Sequence, residues 1–408
     1  MMNETERDVM MQKIQTAARR ILPEVIEFRH YLHRNPELSF QEKQTGKFIG
    51  DVLTRYNIPF TAGWAGHGVV GIISGKDGDP VVALRADMDA LPIQEENKVE
   101  YRSVKEGVMH ACGHDVHMSS LLGAAIVLQE LKDHIAGTVK IIFQPGEEKL
   151  PGGASVMIRE GVLKNPDVHC IIAQHVFPSM EAGKVGYRSG LYMASADEIY
   201  IDVIGKGGHA AMPSDCVDSI LAASQVINAL QQITARKAPP SIPTVLSFGK
   251  INSAGGATNV IPDRVKLEGT FRTMDEKWRA EAHKLICQIA EDTAAGYGAT
   301  CNVRIEKGYP VLINDPDFTE SMSGSMRLYV KPENVEIIPM RMTSEDFAFY
   351  GQHVPSFFYR LGTGNLQKGI TAPVHTPVFD IDETALENGA GLLAFLAFCA
   401  IQNIMKSH

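Results

Sequence analysis

The stretch "MHACGHDVH", residues 109–117, places three histidines, a cysteine and an aspartate within nine positions. Thiolate, imidazole and carboxylate together suit zinc or another late divalent ion. Cys112 and His114 stand two apart in a glycine-containing turn. They cannot share a helix face, but a turn can aim both at one ion, and a thiolate can be shared by two. Side chains of the same chemistry recur along the chain: Asp87 and Asp89 in "RADMDALP", Glu147 and Glu148 in "QPGEE", His175 in "QHV" and His375 in "VHTP". Each has an ordinary explanation when taken alone. A Cys-x-His pair is usually inert, and adjacent glutamates are usually solvated. His110 and His117 are expected to pack or to make supporting hydrogen bonds, and His30, His33, His67 and His169 to be structural or surface residues. Asp87 and Asp89 can be ligands, orienting groups or caps. The orienting role is preferred, because metal-bound histidines commonly need a carboxylate behind them.

The elements that carry these residues bring them together. "HGVVGIISG", "PVVALRADMDALP", "TVKIIFQPGEE" and "DVHCIIAQHV" read as strands, with helices between them. Continuous apolar strands alternating with helices predict a mostly parallel sheet covered on both faces. Ligands of such sheets gather beyond the carboxyl ends of the strands. Asp87 and Asp89, Glu147 and Glu148, and His175 each follow a strand, and "SFFYRLGTGN" leads into the loop with His375. "MHACGH" stands just before a helix, with Asp115 read as its N-cap. Five segments far apart in sequence thus deliver metal-ligand chemistry to one sheet edge.

Near residue 195 the pattern changes. "EIYIDVIGKGG" alternates polar and apolar, and the order that follows is β-α-β-β-α-β, a ferredoxin-like arrangement. After "GYPVLIND" the chain returns to α/β material. The expected fold is therefore α/β, with a catalytic domain from residues 1–194 and 306–408 and a smaller α+β domain, 195–305, inserted in it. The chain has 408 residues, 44% of them hydrophobic, and a net charge of −9, so its surface lacks the basic excess that nucleic-acid binding needs. The N-terminal residues show no secretory pattern, and the apolar run "AGLLAFLAFCAIQNIM" is too short to span a bilayer and reads as a buried helix. Six widely spaced cysteines suggest free thiols in a reducing cytoplasm.

"RADMDALP", "MHACGHDVH", "QPGEE", "GKGGHAAMP", "NVIPD", "GTFRT", "TSEDFAFY" and "HTPVFDID" resemble, in order, the amidohydrolase branch of the aminoacylase/carboxypeptidase metallopeptidase clan. Its members include hippurate hydrolase, N-acyl-amino-acid amidohydrolases and auxin-conjugate hydrolases. The resemblance spans about residues 25–400 and is specific for family more than for substrate. It implies a zinc-peptidase-like catalytic domain with two divalent metal ions per subunit (Zn, or Mn, Co or Ni). It also implies that the inserted domain is a dimerisation or lid domain, and that the protein is a homodimer. By the same resemblance Cys112 bridges the ions, His114 and His175 complete one site, and Glu148 and His375 complete the other. Glu147 is the general base, His209 polarises the scissile carbonyl, and Asn259 and Arg272 hold the substrate carboxylate. Ser214 and Ser219 depart from residues frequent in relatives, and Met118 and Thr376 sit at variable positions. None of these removes a ligand.

The expected activity is hydrolysis of an N-acyl-L-amino acid, or of a short peptide, to a carboxylate and a free amino acid. An aminopeptidase or dipeptidase on the same fold is the nearest alternative, with Glu345 or Asp346 receiving a substrate amine. A binding protein that has kept the fold without activity is the other, and the occupied ligand and base positions argue against it. The adjacency of Glu147 and Glu148 does not by itself say which is ligand and which is base.

Overall fold

A computed structural model of the chain describes residues 4–407. The chain divides into two compact units. One comprises residues up to Gly190, Ile313–Pro339 and Asp346 onward; the other comprises Leu191–Leu312 with Met340–Glu345.

The first unit is built on an eight-stranded sheet. Its strands are β1 (Phe60–Trp64), β2 (Gly68–Ser74), β3 (Val81–Asp87), β4 (Thr138–Gln144), β5 (Cys170–Glu181), β6 (Val185–Tyr187), β7 (Val335–Ile337) and β8 (Ser356–Gly364). They lie in the order β1-β2-β4-β3-β5-β8-β6-β7. The central four, β4, β3, β5 and β8, run parallel, and antiparallel neighbours flank them. Every residue of β3, β4 and β8 is buried, which is why these segments read as apolar runs rather than alternating ones. Helices Glu4–Arg34, His114–Glu130 and Ala385–Ser407 pack on one another and on the central strands.

The last of these helices is longer than its apolar run suggested. Ala385–Lys406 is long and apolar enough to cross a membrane by length and composition. Here every side chain from Leu392 to Ile401 is buried in the core. Burying one such Leu or Phe contributes about 1.5–3 kcal/mol, so the apolarity is what packs the helix.

The second unit has the order β-α-β-β-α-β. Strands Asp197–Ile204, Thr244–Ser253, Arg264–Thr273 and Thr300–Lys307 alternate with helices Ser219–Gln232 and Glu276–Gly296. All pairings are antiparallel, and the spatial order is second, third, first, fourth, so Thr244–Ser253 is an edge strand. Buried and less buried residues alternate along Asp197–Ile204, placing Ile199, Ile201 and Val203 against the helices. Arg279 ties helix to sheet by donating to both oxygens of Asp197, and His283 Nε2 meets Oδ2 of the same carboxylate at 2.6 Å.

One correction concerns Asp115. It does not cap the helix that starts at His114. Gly113, at φ 82°, occupies the cap position, and Asp115 lies in the first turn. Its carboxylate accepts instead from Arg29 Nε at 3.1 Å and from His33 Nδ1 at 2.9 Å, while His33 Nε2 meets Glu95 at 3.1 Å. Arg29 also donates to Glu383 and Asp380. This buried network anchors the helix that carries His114.

Burial opposes the charged form of His33, but Asp115 and Glu95 outweigh it and raise the ring from 6.5 to about 9. A raised cation contributes its full stability below its unfolded value, and the contribution fades as pH climbs through about 9. Between pH 6.5 and 9 the wild type should therefore lose about 3 kcal/mol more unfolding free energy than His33→Gln. Urea titrations at each pH measure this, and parallel pH slopes for the two proteins would disprove the charged state.

Candidate metal centre

The carboxyl ends of β3 and β4, the middle of β5, the turn before helix His114–Glu130 and the loop after β8 meet in the first unit. His175, expected just beyond its strand, lies within β5, which runs on to Glu181 by pairing with β8. Cys112 Sγ lies 3.5 Å from His175 Nε2 and 3.2 Å from His375 Nε2. His375 Nε2 is in turn 3.3 Å from Glu148 Oε1. Two groups of potential ligand atoms share the thiol: Cys112, His114 and His175 form one, and Cys112, Glu148 and His375 the other, with all atoms of a group within 4.8 Å of one another. A tetrahedral ion with ordinary Zn–S and Zn–N bonds sets its sulfur and nitrogen ligands roughly 3.5 Å apart, so these separations fit shared coordination.

The supporting bonds leave the right atoms free. His175 Nδ1 donates to the Val176 carbonyl at 2.8 Å, so Nε2 keeps its lone pair toward Cys112. Both ring nitrogens of His114, and Glu148 Oε1, are buried without an aligned hydrogen bond. His114 Nδ1 is 3.3 Å from Asp89, and Nε2 is 4.0 Å from Glu148. Buried polar atoms normally have partners, so this set is what a cation site with the ion left out should look like. His375 holds a left-handed backbone, φ 63°, and its amide donates to the Ala111 carbonyl at 2.7 Å, tying the late loop to the cysteine turn.

The neighbouring residues orient. His117 Nε2 accepts from the Val176 amide at 2.9 Å and Nδ1 donates to Asp87 at 2.6 Å, so neither nitrogen is left for a metal. Asp87 also accepts from Arg85 at 2.7 Å. Asp89 accepts from the amides of Glu147 and Glu148 at 3.0 and 2.9 Å and from Ser39 at 2.6 Å. His110 is fully buried, and burial pulls its ring down to about 4.

The charges show what the cluster lacks. Burial, then Glu148, Glu147 and Asp87, push the Cys112 thiol well above its usual range. Burial works against a charged His114, yet Asp87, Asp89 and Glu148 raise it to about 10. Burial, and then Arg360, push His175 well down. The crowded carboxylates thus favour positive charge or protons at Cys112 and His114. A divalent cation would replace those protons and convert both into ligands.

Arg85 and Gln144 are parts of the site that the sequence reading misses, and Asp346, expected there only as an amine receptor of the peptidase alternative, joins them. Arg85 donates to Gln144, Asp87 and Asp346 at 3.0, 2.7 and 2.7 Å. A single arginine inside the apolar run "VVALRAD" was the available signal. Asp346 also accepts two bonds from Gln144 and one from the Ala154 amide. It is a buried structural anion rather than a receptor for a substrate amine.

His209, Asn259 and Arg272 lie in the second unit. His209 pairs with Val260 in a two-residue bridge and is exposed. Its Nδ1 accepts from the Ala211 amide at 3.1 Å, so the proton sits on Nε2, which can donate. Asn259 is exposed, and its carbonyl accepts from Ala210 at 2.9 Å. Arg272 is half-buried and donates to the Met342 carbonyl at 3.1 Å. Burial lowers its guanidinium from the usual arginine range, and among the described residues no carboxylate counters the shift.

Residues 83–398 match the family described as peptidase family M20/M25/M40. Thermostable carboxypeptidase 2 of Saccharolobus solfataricus is 38% identical over 95% of this chain and 98% of its own. The N-acetyl-L-cysteine deacetylase of Bacillus subtilis is 39% identical over 89% of this chain and 85% of its own. A solved Bacillus subtilis structure described as a dinuclear metal binding peptidase from the M20 family is 34% identical, with a TM-score of 0.79, and the match covers 94% of this chain and 99% of that one. The chain belongs to peptidase family M20/M25/M40 and is a metal-dependent hydrolase of linear amides.

Proposed function

We propose that this hydrolase cleaves N-acyl-L-amino acids at the amide bond, releasing a carboxylate and a free amino acid. The observation that carries the reading is the pair of ligand groups joined at Cys112, with Glu147 beside them. A carboxypeptidase acting on an N-blocked amino acid and an amino-acid deacylase cut the same bond, an amide whose nitrogen side bears a free α-carboxylate. The two named relatives are thus compatible with one substrate class. Asp346 has its oxygens committed to Arg85, Gln144 and Ala154, which speaks against an aminopeptidase using it.

In this reading Cys112 is shared by two ions, His114 and His175 complete one site, and Glu148 and His375 the other. The mixed donor set suits zinc, with manganese, cobalt or nickel as alternatives. When bound, the ions acidify a water and polarise the amide carbonyl. Glu147 takes the proton of the attacking water and returns it to the leaving nitrogen. Asp89 aims His114 and the amides of both glutamates, and His117 buttresses the strand end that carries His175. The six free cysteines agree with a cytoplasmic home; cell fractionation that recovers the protein outside the cytoplasm would contradict it.

Glu147→Gln should retain metal and lose roughly 10²- to 10⁴-fold in kcat, the range for removal of a general base. His114→Ala and Glu148→Ala should lower metal content as measured by elemental analysis. Near wild-type turnover with metal retained in Glu147→Gln would refute the base assignment. Unchanged metal content in the other two would place the ions elsewhere.

Arg272 and Asn259 are assigned to the substrate carboxylate. A half-buried guanidinium with no countercharge is suited to a bidentate grip on an anionic ligand. Arg272→Ala should therefore impair hippurate-like free acids far more than the matching amides or esters. Equal losses on both series would count against carboxylate recognition.

His209 is assigned to the scissile carbonyl of the partner subunit's substrate, in a homodimer paired through the inserted unit. Its exposed Nε2 donor and the free edge of strand Thr244–Ser253 support this. Loss of such a donor typically costs about 10²- to 10³-fold in rate. His209→Ala and Glu147→Gln should each be nearly inactive. Mixed with subunit exchange, they should recover part of the activity through heterodimers with one intact site. Proven exchange without recovery would mean that His209 acts within its own chain or not at all.

A further inference from the structure

Three consecutive backbone amides precede and include the two glutamates of "QPGEE", and two carboxylates receive them. Gly146 donates to Glu42 Oε1 at 2.8 Å, and Glu147 and Glu148 donate to the two oxygens of Asp89 at 3.0 and 2.9 Å. Successive N–H groups of this kind form a concavity that closes on an anion. Here the anions belong to the protein, so the concavity fixes the turn itself.

The segment Ser39–Glu42 builds the other wall. Ser39 Oγ donates to Asp89 Oδ2 at 2.6 Å. The Phe40 ring abuts Gly146 so closely that a Cβ there would lie 2.5 Å from it. Gly146 and Phe40 both hold left-handed backbones, φ 66° and 64°. Such a conformation persists in a phenylalanine only where its surroundings enforce it. Glu42 is fully buried, and its Oε2 has no hydrogen-bond partner among the described residues. Burial and the nearby Asp89 raise its carboxyl to about 7. Oε1 accepts from Gly146 whether or not Oε2 carries a proton, and a glutamine carbonyl would do the same.

We infer that Glu42 is a positioning residue that holds the turn Pro145–Glu148 through the Gly146 amide and so aims Glu147 at its substrate. The inference rests on the assignment of Glu147 as the base. Without the acceptor at residue 42, the buried Gly146 amide loses its partner and the turn is free to re-orient. A misplacement of about 1 Å at a reacting group costs on the order of 10²-fold in rate.

The test compares Glu42→Gln with Glu42→Leu in the metal-loaded enzyme, reading steady-state kinetics on hippurate and hydrogen exchange of the peptide spanning residues 143–149. Glu42→Gln should keep kcat within about threefold and keep the Gly146 amide protected. Glu42→Leu should lose roughly 10- to 100-fold in kcat with KM changed little, and the peptide should exchange faster. If Glu42→Leu does not fold, Phe40→Ala, which removes the wall behind Gly146, should give the same two changes in smaller measure. Wild-type exchange in the leucine variant, a loosened turn with unaltered kcat, or equal losses in the glutamine and leucine variants would overturn the proposal. An active Glu147→Gln enzyme would instead remove the base assignment, while the exchange measurement still reports whether Glu42 holds the turn.

Discussion

The crowding of acidic groups around one buried thiol is the constraint on which the rest of this structure depends. Asp87, Asp89 and Glu147 are almost fully buried at the end of a parallel sheet, with Glu148 beside them. The effective penalty for burying an unmatched ion is several kcal/mol, so each carboxylate needs a positive or donating partner. Asp87 has Arg85 and His117; Asp89 has two amides and a serine. These bonds reach both oxygens of each carboxylate. The atoms left over are one soft sulfur, on Cys112, with borderline nitrogens of His114, His175 and His375 and a hard oxygen of Glu148 gathered about it. The fold stabilises everything around the cation site and leaves the site for the cation.

The same sheet shows what a satisfied buried charge looks like. Lys140 lies in β4 with its ammonium donating to the carbonyls of Val162, Lys164 and Pro166, each at 2.9 Å. Burial draws it down to about 8, but all three donors are used, so it closes a loop and has nothing left for chemistry. Arg85 is similar, with its fork divided among Gln144, Asp87 and Asp346. A shifted ionisation is common to Lys140 and His114. His114 adds ring nitrogens that lack aligned partners and lie beside Cys112, Glu148 and His175, and that proximity separates it from Lys140 and from the equally unpartnered but lowered ring of His110.

The strand-end residues could be read in the sequence because each follows a run whose burial is local information. β3, β4, β5 and β8 are apolar enough to be recognised. The carboxyl ends of β3 and β4 deliver Asp87 and Asp89, and Glu147 and Glu148, and the loop after β8 delivers His375. His175 lies inside β5, whose continuation to Glu181 its less apolar second half did not announce. The β-α-β-β-α-β order was readable for the same reason, since Asp197–Ile204 alternates in a way the parallel strands do not. The supporting network was not readable. Arg85 and Asp346 are 261 positions apart, and no local periodicity encodes their meeting. Asp115 followed a sound capping rule to a wrong answer: Gly113 takes the left-handed cap position, and Arg29 and His33 compete for the carboxylate with two charge-assisted bonds. A long-range ion pair outweighed a local preference, an outcome a single sequence does not disclose.

Asp89 shows how far the parts are from independent. One oxygen holds the Glu147 amide and lies 3.3 Å from His114 Nδ1; the other holds the Glu148 amide and takes the Ser39 hydroxyl. One carboxylate therefore positions His114 on the helix and both Glu147 and Glu148 on the turn, the residues proposed as ligands and base. Residues that share a partner in this way do not respond additively to substitution. A loss at Asp89 would shift His114 and the turn together, so its effect would mix metal affinity with proton transfer. Among the described residues, the hydrogen bond that Glu42 makes to the turn is the one from the Gly146 amide. Of the two carboxylates, it is therefore the one through which the aim of Glu147 can be altered while the contacts that Asp89 makes to His114 stay in place.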